Sequence, residues 1–488
     1  MSISKFYECR EVFVTGATGT LGKVLLEKLL RSCNTKKIYI LIRSKKGVPA
    51  EERKTELFHS KIFGNILLKN PKISNKVECV KGDLTRVNLG ISSSHMNLIT
   101  KNVSVVFHLA ASIKFDEPFR DSFVNNVEST KNVAEVCRQM KNLSAFVHTS
   151  TAYSFCNRKE VNEKIYTMAR TYDEFKNIAK LKNNASVNIT EENLLENRPN
   201  TYTLTKAIAE NYINNFCRDL PVVIIRPSIV GCTWKEPFSG WNDSNNGADY
   251  IAGTALKGIL RSMLCDEDKI CDFIPSDAVI NLMLAAAWRK AVTPHQKEDE
   301  IPIYNCTSGS INPFTWRQFF KCLNTHYWKY PVENTFLYPS KVPKKNYYRN
   351  RLCIAMQHLL PAMLADVFQV AVGRKPKMMK VYNKVQKKIS TLEYFCIRDW
   401  KFGARNVQEL MERLSTQDKQ NFDFDISKLN WDHYIEHYFL GIRRFVFNED
   451  DSTIPHSRKM SLLKYYSILI AKTGLLFGFV YNFTILSF

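Results

Sequence analysis

A short apolar run, Glu11-Val12-Phe13-Val14, leads straight into Thr15-Gly16-Ala17-Thr18-Gly19-Thr20-Leu21-Gly22, and Lys23-Val24-Leu25-Leu26-Glu27-Lys28-Leu29-Leu30 follows with helical periodicity. Few folds accommodate that order. The run reads as a buried parallel strand and the rest as a tight turn opening a helix. The glycines fall at a G-x-x-G-x-x-G spacing. Gly16 lets the chain turn off the strand, Gly19 lets backbone approach a phosphate, and Gly22 lets the helix pack close to the sheet. The N–H groups at the helix start then face a pyrophosphate, so Thr15, Gly16, Thr18, Gly19, Thr20, Leu21 and Gly22 form the expected dinucleotide cradle.

Strands and helices alternate from there. Ile38-Tyr39-Ile40-Leu41-Ile42 is a second strand ending in Arg43-Ser44-Lys45-Lys46. Cations at this strand end suit a 2′-phosphate, where an acidic residue would select ribose hydroxyls, so the cofactor expected is NADPH. Val77-Glu78-Cys79-Val80 precedes Gly82-Asp83-Leu84, with Asp83 placed for the adenine. Val103 to His108 runs into Leu109-Ala110-Ala111-Ser112, where small residues let a cofactor lie against the chain. Ala145-Phe146-Val147-His148 leads to Thr149-Ser150-Thr151-Ala152-Tyr153, and Val222-Val223-Ile224-Ile225 ends in Arg226-Pro227. Helical stretches at 121–140 and 202–216 complete an α/β, doubly wound parallel sheet of the Rossmann type.

Beyond 232 the pattern changes. Trp234 to Trp241 is aromatic and irregular, as a substrate loop would be. A helix through 277–290 and a short strand, Ile303-Tyr304-Asn305-Cys306, come next. The expected division is a dinucleotide-binding domain over 1–325, with substrate loops at 232–275, and a mostly helical domain over 345–450. A hydrophobic segment at 465–488 ends the chain. Within the second domain, 352–373 is almost uncharged and reads as a buried helix pair, with membrane contact as the alternative. Tyr465 to Phe488 is nearly all apolar, with Lys472 its only charge. About 24 residues at 1.5 Å rise span a 30 Å hydrocarbon core. Arg458, Lys459 and Lys464 before it place the body of the protein in the cytosol. Interfacial insertion is the alternative to spanning.

The net charge of +22, from 69 basic and 47 acidic residues, suits anionic partners: phosphates and lipid surfaces. No aromatic RNA-binding signature accompanies it, so nucleic acid is not expected. The 13 cysteines form no C-x-x-C pair and read as core residues in a reducing compartment. Asn188-Ile189-Thr190, a glycosylation match, reads as chance. His358 and the His433/His437 pair read as ordinary histidines, and no metal is expected. Arg374-Lys375-Pro376-Lys377 is a solvated turn or a patch for lipid headgroups or phosphates.

Tyr202-Thr203-Leu204-Thr205-Lys206 puts a phenol and an ammonium four apart on one helix face. A free phenol titrates near pH 10. An ammonium beside it stabilises the phenolate and can hold the nicotinamide ribose, and the phenol then protonates a carbonyl oxygen as hydride reaches carbon. Ser150 or Thr151 supplies a second hydrogen bond to that oxygen. Tyr172-Asp173-Glu174-Phe175-Lys176 has the same spacing but leads into Asn183-Asn184 and no strand. Tyr202 is preferred because its helix leads into a strand and Arg226-Pro227.

With these residues in place, the chain resembles the alcohol-forming fatty acyl-CoA reductases, a branch of the extended short-chain dehydrogenase/reductases. The resemblance runs through Thr15–Gly22, Arg43, Gly82-Asp83, His108–Ser112, Ser150–Tyr153 and Tyr202–Lys206. It continues in Glu236-Pro237, Gly240-Trp241, Pro275-Ser276-Asp277, Asn305, Ser308-Gly309 and 312–316. The C-terminal part joins it through Leu360-Pro361, Asp366, Tyr394-Phe395, 400–402, 422–425, Trp431, Tyr434 and Gly441. Glu128-Ser129 and Ser276 depart from the family pattern. The resemblance implies reduction of a long-chain acyl-CoA by NADPH to a primary alcohol through an aldehyde, with release of coenzyme A. The apolar tail makes the enzyme membrane-anchored, and the endoplasmic reticulum is favoured over the peroxisome, although the sequence does not separate the two. A dehydrogenase of a sterol or sugar nucleotide, and a non-catalytic NADP-sensing scaffold, are the alternatives. The sequence leaves acyl length and oligomeric state open.

Overall fold

The computed structural model describes residues 1–45, 47–181, 191–293, 300–340 and 342–486; the side chains of 191, 192, 472 and 474–486 lie outside that description. Lys46, Asn183-Asn184, the 188–190 glycosylation match and the last two residues are therefore outside it as well. The chain divides into two compact units. The first takes Met1–Ser239, Asp272–Pro313 and Trp400–Leu429, and the second takes Gly240–Cys271, Phe314–Asp399 and Asn430–Phe488.

The first unit is built on a seven-stranded, wholly parallel sheet. Its strands are β1 (Glu11–Thr15), β2 (Lys37–Ile42), β3 (Val77–Lys81), β4 (Val103–His108), β5 (Ala145–Thr149), β6 (Val222–Pro227) and β7 (Ile303–Cys306), in the order β7-β6-β5-β4-β1-β2-β3. Every residue of β1, β4, β5 and β6 is buried, which explains why these strands read as continuous apolar runs. The short strand from 303 is the seventh of this sheet, with Tyr304 opposite Ile225. The chain reverses its direction of winding between β1 and β4, and a ligand crevice opens beyond the carboxyl ends of strands at such a point.

Helices α1 (Thr20–Ser32), α2 (119–138, with a π turn at Val124–Glu128), α3 (Thr201–Phe216) and α4 (Ser276–Val292) cover the sheet. On one face Phe13, Val106, Phe146 and Ile224 bury against Val133 and Val136 of α2 and Ile213 of α3. The segment 400–429 returns to this unit. Lys401–Phe402 pairs in parallel with Glu160–Val161, and Trp400 Nε1 donates to the Cys156 carbonyl at 2.9 Å. Tyr153 meets Trp400 and Phe402 edge-on.

The second unit is helical: α5 (Trp316–Lys329), α6 (Tyr347–Ala371), α7 (Met378–Cys396), α8 (Trp431–Gly441) and α9 (Ile454–Leu486). Phe319 of α5 packs on Tyr438 and Phe439 of α8. The first turns of α9 are tied down: Ser461 shares a hydrogen bond with Tyr327 at 2.8 Å, and Lys464 donates to Thr335. Beyond them Tyr466, Leu469 and Ile470 are exposed. The apolar segment from 465 continues this helix to Leu486.

One expectation fails. Residues 352–373 are not a buried helix pair. Leu352, Met356, Leu364, Val367, Phe368 and Val370 are all more than half exposed. Low charge mimics a core helix, but only a thin strip of α6, with Asn350, Ile354, His358 and Asp366, is buried.

Candidate active site

The turn between β1 and α1 is shaped by contacts that leave no room for side chains. Gly16 has φ +78°, and a Cβ there would stand 2.6 Å from the Ala110 nitrogen. A Cβ on Gly22 would fall 2.2 Å from the Gly16 carbonyl oxygen. Gly19 begins α1 with extended backbone and no side-chain cap. A helix start of this kind is electropositive and favours an anionic ligand. Thr18, Gly19, Thr20 and Leu21 are at least partly exposed.

Thr15 is different. It is buried, and its hydroxyl bonds His108 Nδ1 at 2.8 Å while accepting from the Ala110 N–H at 3.4 Å. His108 Nε2 meets Thr130 at 3.1 Å, and burial followed by the Lys206 charge pushes its pKa down to about 3. A neutral imidazole therefore ties β1, β4 and α2 together beneath the cradle. Ala110 follows β4 and Leu84 follows β3, with the Leu84 carbonyl held by Asn132 at 2.8 Å. Asp83 accepts from Thr85 through both its N–H (3.0 Å) and hydroxyl (2.9 Å), closing the turn after β3. Arg43 is exposed at the end of β2, and its carbonyl accepts from Arg53 at 2.5 Å, so two guanidinium groups share that strand end.

At the ends of β5 and β6 the other group assembles. Asn200 caps α3, accepting from the Thr203 N–H at 2.9 Å, which fixes the first turn where Tyr202 sits. Phe115 stacks on the Tyr202 ring at 5.7 Å between centroids. Burial raises the phenol to about 12, opposed by a hydrogen bond with Thr151. Lys206 donates to the Thr149 carbonyl at 2.7 Å, and burial lowers it to about 8 against the pull of Glu210. The expected acidification of the phenol by Lys206 is thus not what these side chains display. Burial and Thr151 set the phenol, and the ammonium is engaged with backbone.

Ser150 and Thr151 separate cleanly. The Ser150 hydroxyl donates to Glu210, which is fully buried and also accepts from Ser154 at 3.1 Å. Arg226 closes on the same carboxylate through Nε (2.9 Å) and Nη2 (2.5 Å). Thr151 accepts from the Tyr153 N–H at 3.3 Å and makes a long bond to the Pro227 carbonyl at 3.4 Å, with Tyr202 beside its hydroxyl.

Two family models match the chain, both described as male sterility protein: an NAD-binding model over residues 14–283 and a second over 357–449. Fatty acyl-CoA reductase 1 of Mus musculus is 39% identical over 460 residues, covering 94% of this chain and 89% of that one. Fatty acyl-CoA reductase 2 of Homo sapiens is 36% identical, covering 94% and 88%. The chain belongs to the fatty acyl-CoA reductase family. Among solved structures, a reductase domain of a nonribosomal peptide synthetase from Mycobacterium tuberculosis aligns with a TM-score of 0.59 at 17% identity, over 89% of this chain and 91% of that one. The terminal reductase domain of the myxalamid pathway aligns at 0.57 and 16%, over 90% and 92%. These two share the fold.

The residues that resemble the reductase family have visible work in this reductase. Asp277, at the start of α4, accepts from the N–H groups of Trp234, Lys235 and Glu236 at 2.7–3.0 Å, pinning the base of the loop after β6. Asp272 accepts from the Ser308 and Gly309 N–H groups at 2.8 and 3.0 Å. Tyr172, the competing tyrosine, is spent elsewhere: its hydroxyl donates to Glu128 at 2.5 Å, and Lys176 lies over its ring face, 5.4 Å from the centroid. Glu128, a departure from the family pattern, is therefore the partner that occupies the decoy.

Sequence reasoning misses Glu210 and Asn126. Glu210 lies four residues beyond Lys206 on one helix face, a spacing that could have pointed to it. Asn126 bonds both the N–H and carbonyl of Ser112 (2.7 and 3.0 Å) and the Thr205 hydroxyl (3.0 Å), joining the β4 loop to α3. His433 and His437 face each other at 3.2 Å, and the described residues contain no cluster of three or more metal-ligating side chains. Replacing the two β5 hydroxyls should separate their roles. Thr151→Ala is expected to lower kcat by about 10²-fold, whereas Ser150→Ala should chiefly lower thermal stability; steady-state kinetics with thermal melting of both variants checks this.

Proposed function

We propose that this chain reduces long-chain fatty acyl-CoA to the primary alcohol with NADPH, through the aldehyde. The observation that carries the reading is the meeting of the Tyr202 and Thr151 hydroxyls while Ser150 is withdrawn onto Glu210, in a chain of this family. The cradle fits a dinucleotide because a side chain at Gly16 or Gly22 would collide with backbone. Gly16, Thr18, Gly19, Thr20, Leu21 and Gly22 would hold the pyrophosphate, Asp83, Leu84 and Ala110 the adenine side, and Lys206 the nicotinamide ribose. Arg43 would hold the 2′-phosphate. When bound, NADPH supplies hydride in each of two rounds.

A phenol near 12 is fully protonated at neutral pH, which suits reduction, where it must give a proton. Tyr202 protonates the thioester oxygen as the carbon becomes tetrahedral, and Thr151 donates a hydrogen bond to the same oxygen. The hemithioacetal hydroxyl returns its proton to the Tyr202 phenolate as the C–S bond breaks. Coenzyme A leaves as the thiolate and takes a proton from water. Tyr202 then protonates the aldehyde oxygen in the second round, and solvent restores the phenol.

The 465–488 segment would anchor the enzyme, with the body on the cytosolic side of the endoplasmic reticulum. The family match at 357–449 weighs against a sterol or sugar-nucleotide dehydrogenase, which has no use for that region. Purified protein with palmitoyl-CoA is expected to yield hexadecanol with two NADPH consumed per alcohol. Arg43→Glu should raise the KM for NADPH by about tenfold or more and leave that for NADH nearly unchanged. Absence of any long-chain alcohol across a mixed acyl-CoA pool would overturn the reading.

A further inference from the structure

We infer that α6 is an in-plane membrane helix: its apolar face lies in the headgroup–acyl boundary of an anionic bilayer while its other face stays bolted to the second unit. Helix α6 is 25 residues long, and its most apolar 18-residue stretch has a mean hydropathy of 1.3, sufficient by length and composition for a span. Its hydrogen bonds forbid that. His358 Nε2 accepts from the Arg261 and Ser262 N–H groups at 2.9 and 3.2 Å, and Nδ1 meets the Gln386 side chain at 2.8 Å. Asn350 accepts from the Ser262 hydroxyl at 2.8 Å. Asp366 accepts from the N–H groups of Lys377, Met378 and Met379 at 2.8–2.9 Å, capping the start of α7. These residues are buried on one side of the helix. A helix crossing the bilayer would have to break all of these bonds.

The opposite side is a continuous apolar stripe. Leu352, Met356, Leu360, Met363, Val367 and Val370 recur every three or four residues, each 41–67% exposed, with Leu364 and Phe368 widening the stripe. A soluble monomer rarely leaves so large an apolar face in water.

Charge identifies the occupant. The segment 345–388 carries ten Lys and Arg against one acid, and that acid is the buried Asp366. Arg349 and Arg351 flank the start of the stripe, and Arg374, Lys375 and Lys377 its end, all exposed. Cations at both ends of an apolar face match an anionic headgroup layer over hydrocarbon. They disfavour a second copy of this chain, whose stripe would bring the same charges against them.

This inference is independent of the acyl-CoA reading, and its test needs no turnover. The full chain carries Val367→Cys, with the accessible Cys9, Cys322 and Cys353 replaced by Ser, and an environment-sensitive NBD label at position 367. It is reconstituted in vesicles containing 30% phosphatidylserine. Expected are a blue-shifted emission and stronger quenching by lipids brominated near the headgroup end of the acyl chain than near its terminus. A label at Glu52→Cys should show neither. Changing Arg374, Lys375 and Lys377 to Gln should reduce the quenching at least twofold. Three results would overturn the inference: emission unchanged from the Glu52→Cys label, a blue shift without lipid quenching that grows with protein concentration, or strongest quenching from the deepest bromines. The second would mean a self-associating face, and the third a spanning helix.

Discussion

Tyr202→Phe is expected to cut alcohol formation by about 10²–10⁴-fold. The substitution removes one oxygen from a ring stacked on Phe115 and leaves the cradle at Gly16 and Gly22 untouched. NADPH affinity, read by fluorescence titration, should therefore stay within about twofold. The aldehyde should suffer as badly as the thioester, because both rounds draw on the same phenolic proton. Tyr172→Phe, which loses only the bond to Glu128, should keep near-normal turnover. Retained activity in Tyr202→Phe would remove the phenol from the mechanism.

Glu210→Ala is expected to be the most damaging change to stability away from the reacting atoms. It leaves the Arg226 guanidinium fully buried without its carboxylate, and strands the Ser150 and Ser154 hydroxyls. Breaking one side of such a pair costs about 3–5 kcal/mol. Differential scanning calorimetry of the full chain should show a lowered first transition. Glu210→Ala combined with Arg226→Met should recover part of the loss, since the buried charge is then gone. A single variant as stable as the parent would mean that water replaces the carboxylate.

The seven strands are legible in the sequence because burial on both faces forces unbroken apolar runs, and the nucleotide turn because only glycine fits at 16 and 22. Other features depend on long-range contacts. Ser150 and Thr151 look alike in a sequence, and Glu210, far along the chain, separates them. Tyr172 and Tyr202 share a spacing, and Glu128 takes one of them out of play. The return of 400–429 to the first unit is held by contacts between residues far apart in the chain, among them a two-residue strand, the Trp400 indole N–H and the Asn305 and Asn406 side chains, and no local pattern announces them. The exposed stripe of α6 escapes a sequence reading because hydropathy measures how apolar a helix is and says nothing of what lies against it.

The pairing of Trp400 and Phe402 with Tyr153 also bears on how the protein is made. Ribosomes release a chain from its N-terminus, so all seven strands emerge well before the aromatic pair that packs on Tyr153 has been synthesised. During that interval Tyr153, two places from Thr151, lacks its cover. A nascent or truncated chain that stops just beyond β7 would thus hold a complete sheet and glycine turn, yet lack two of the rings that pack on Tyr153. Such a fragment is a client for chaperones and proteases before it is an enzyme.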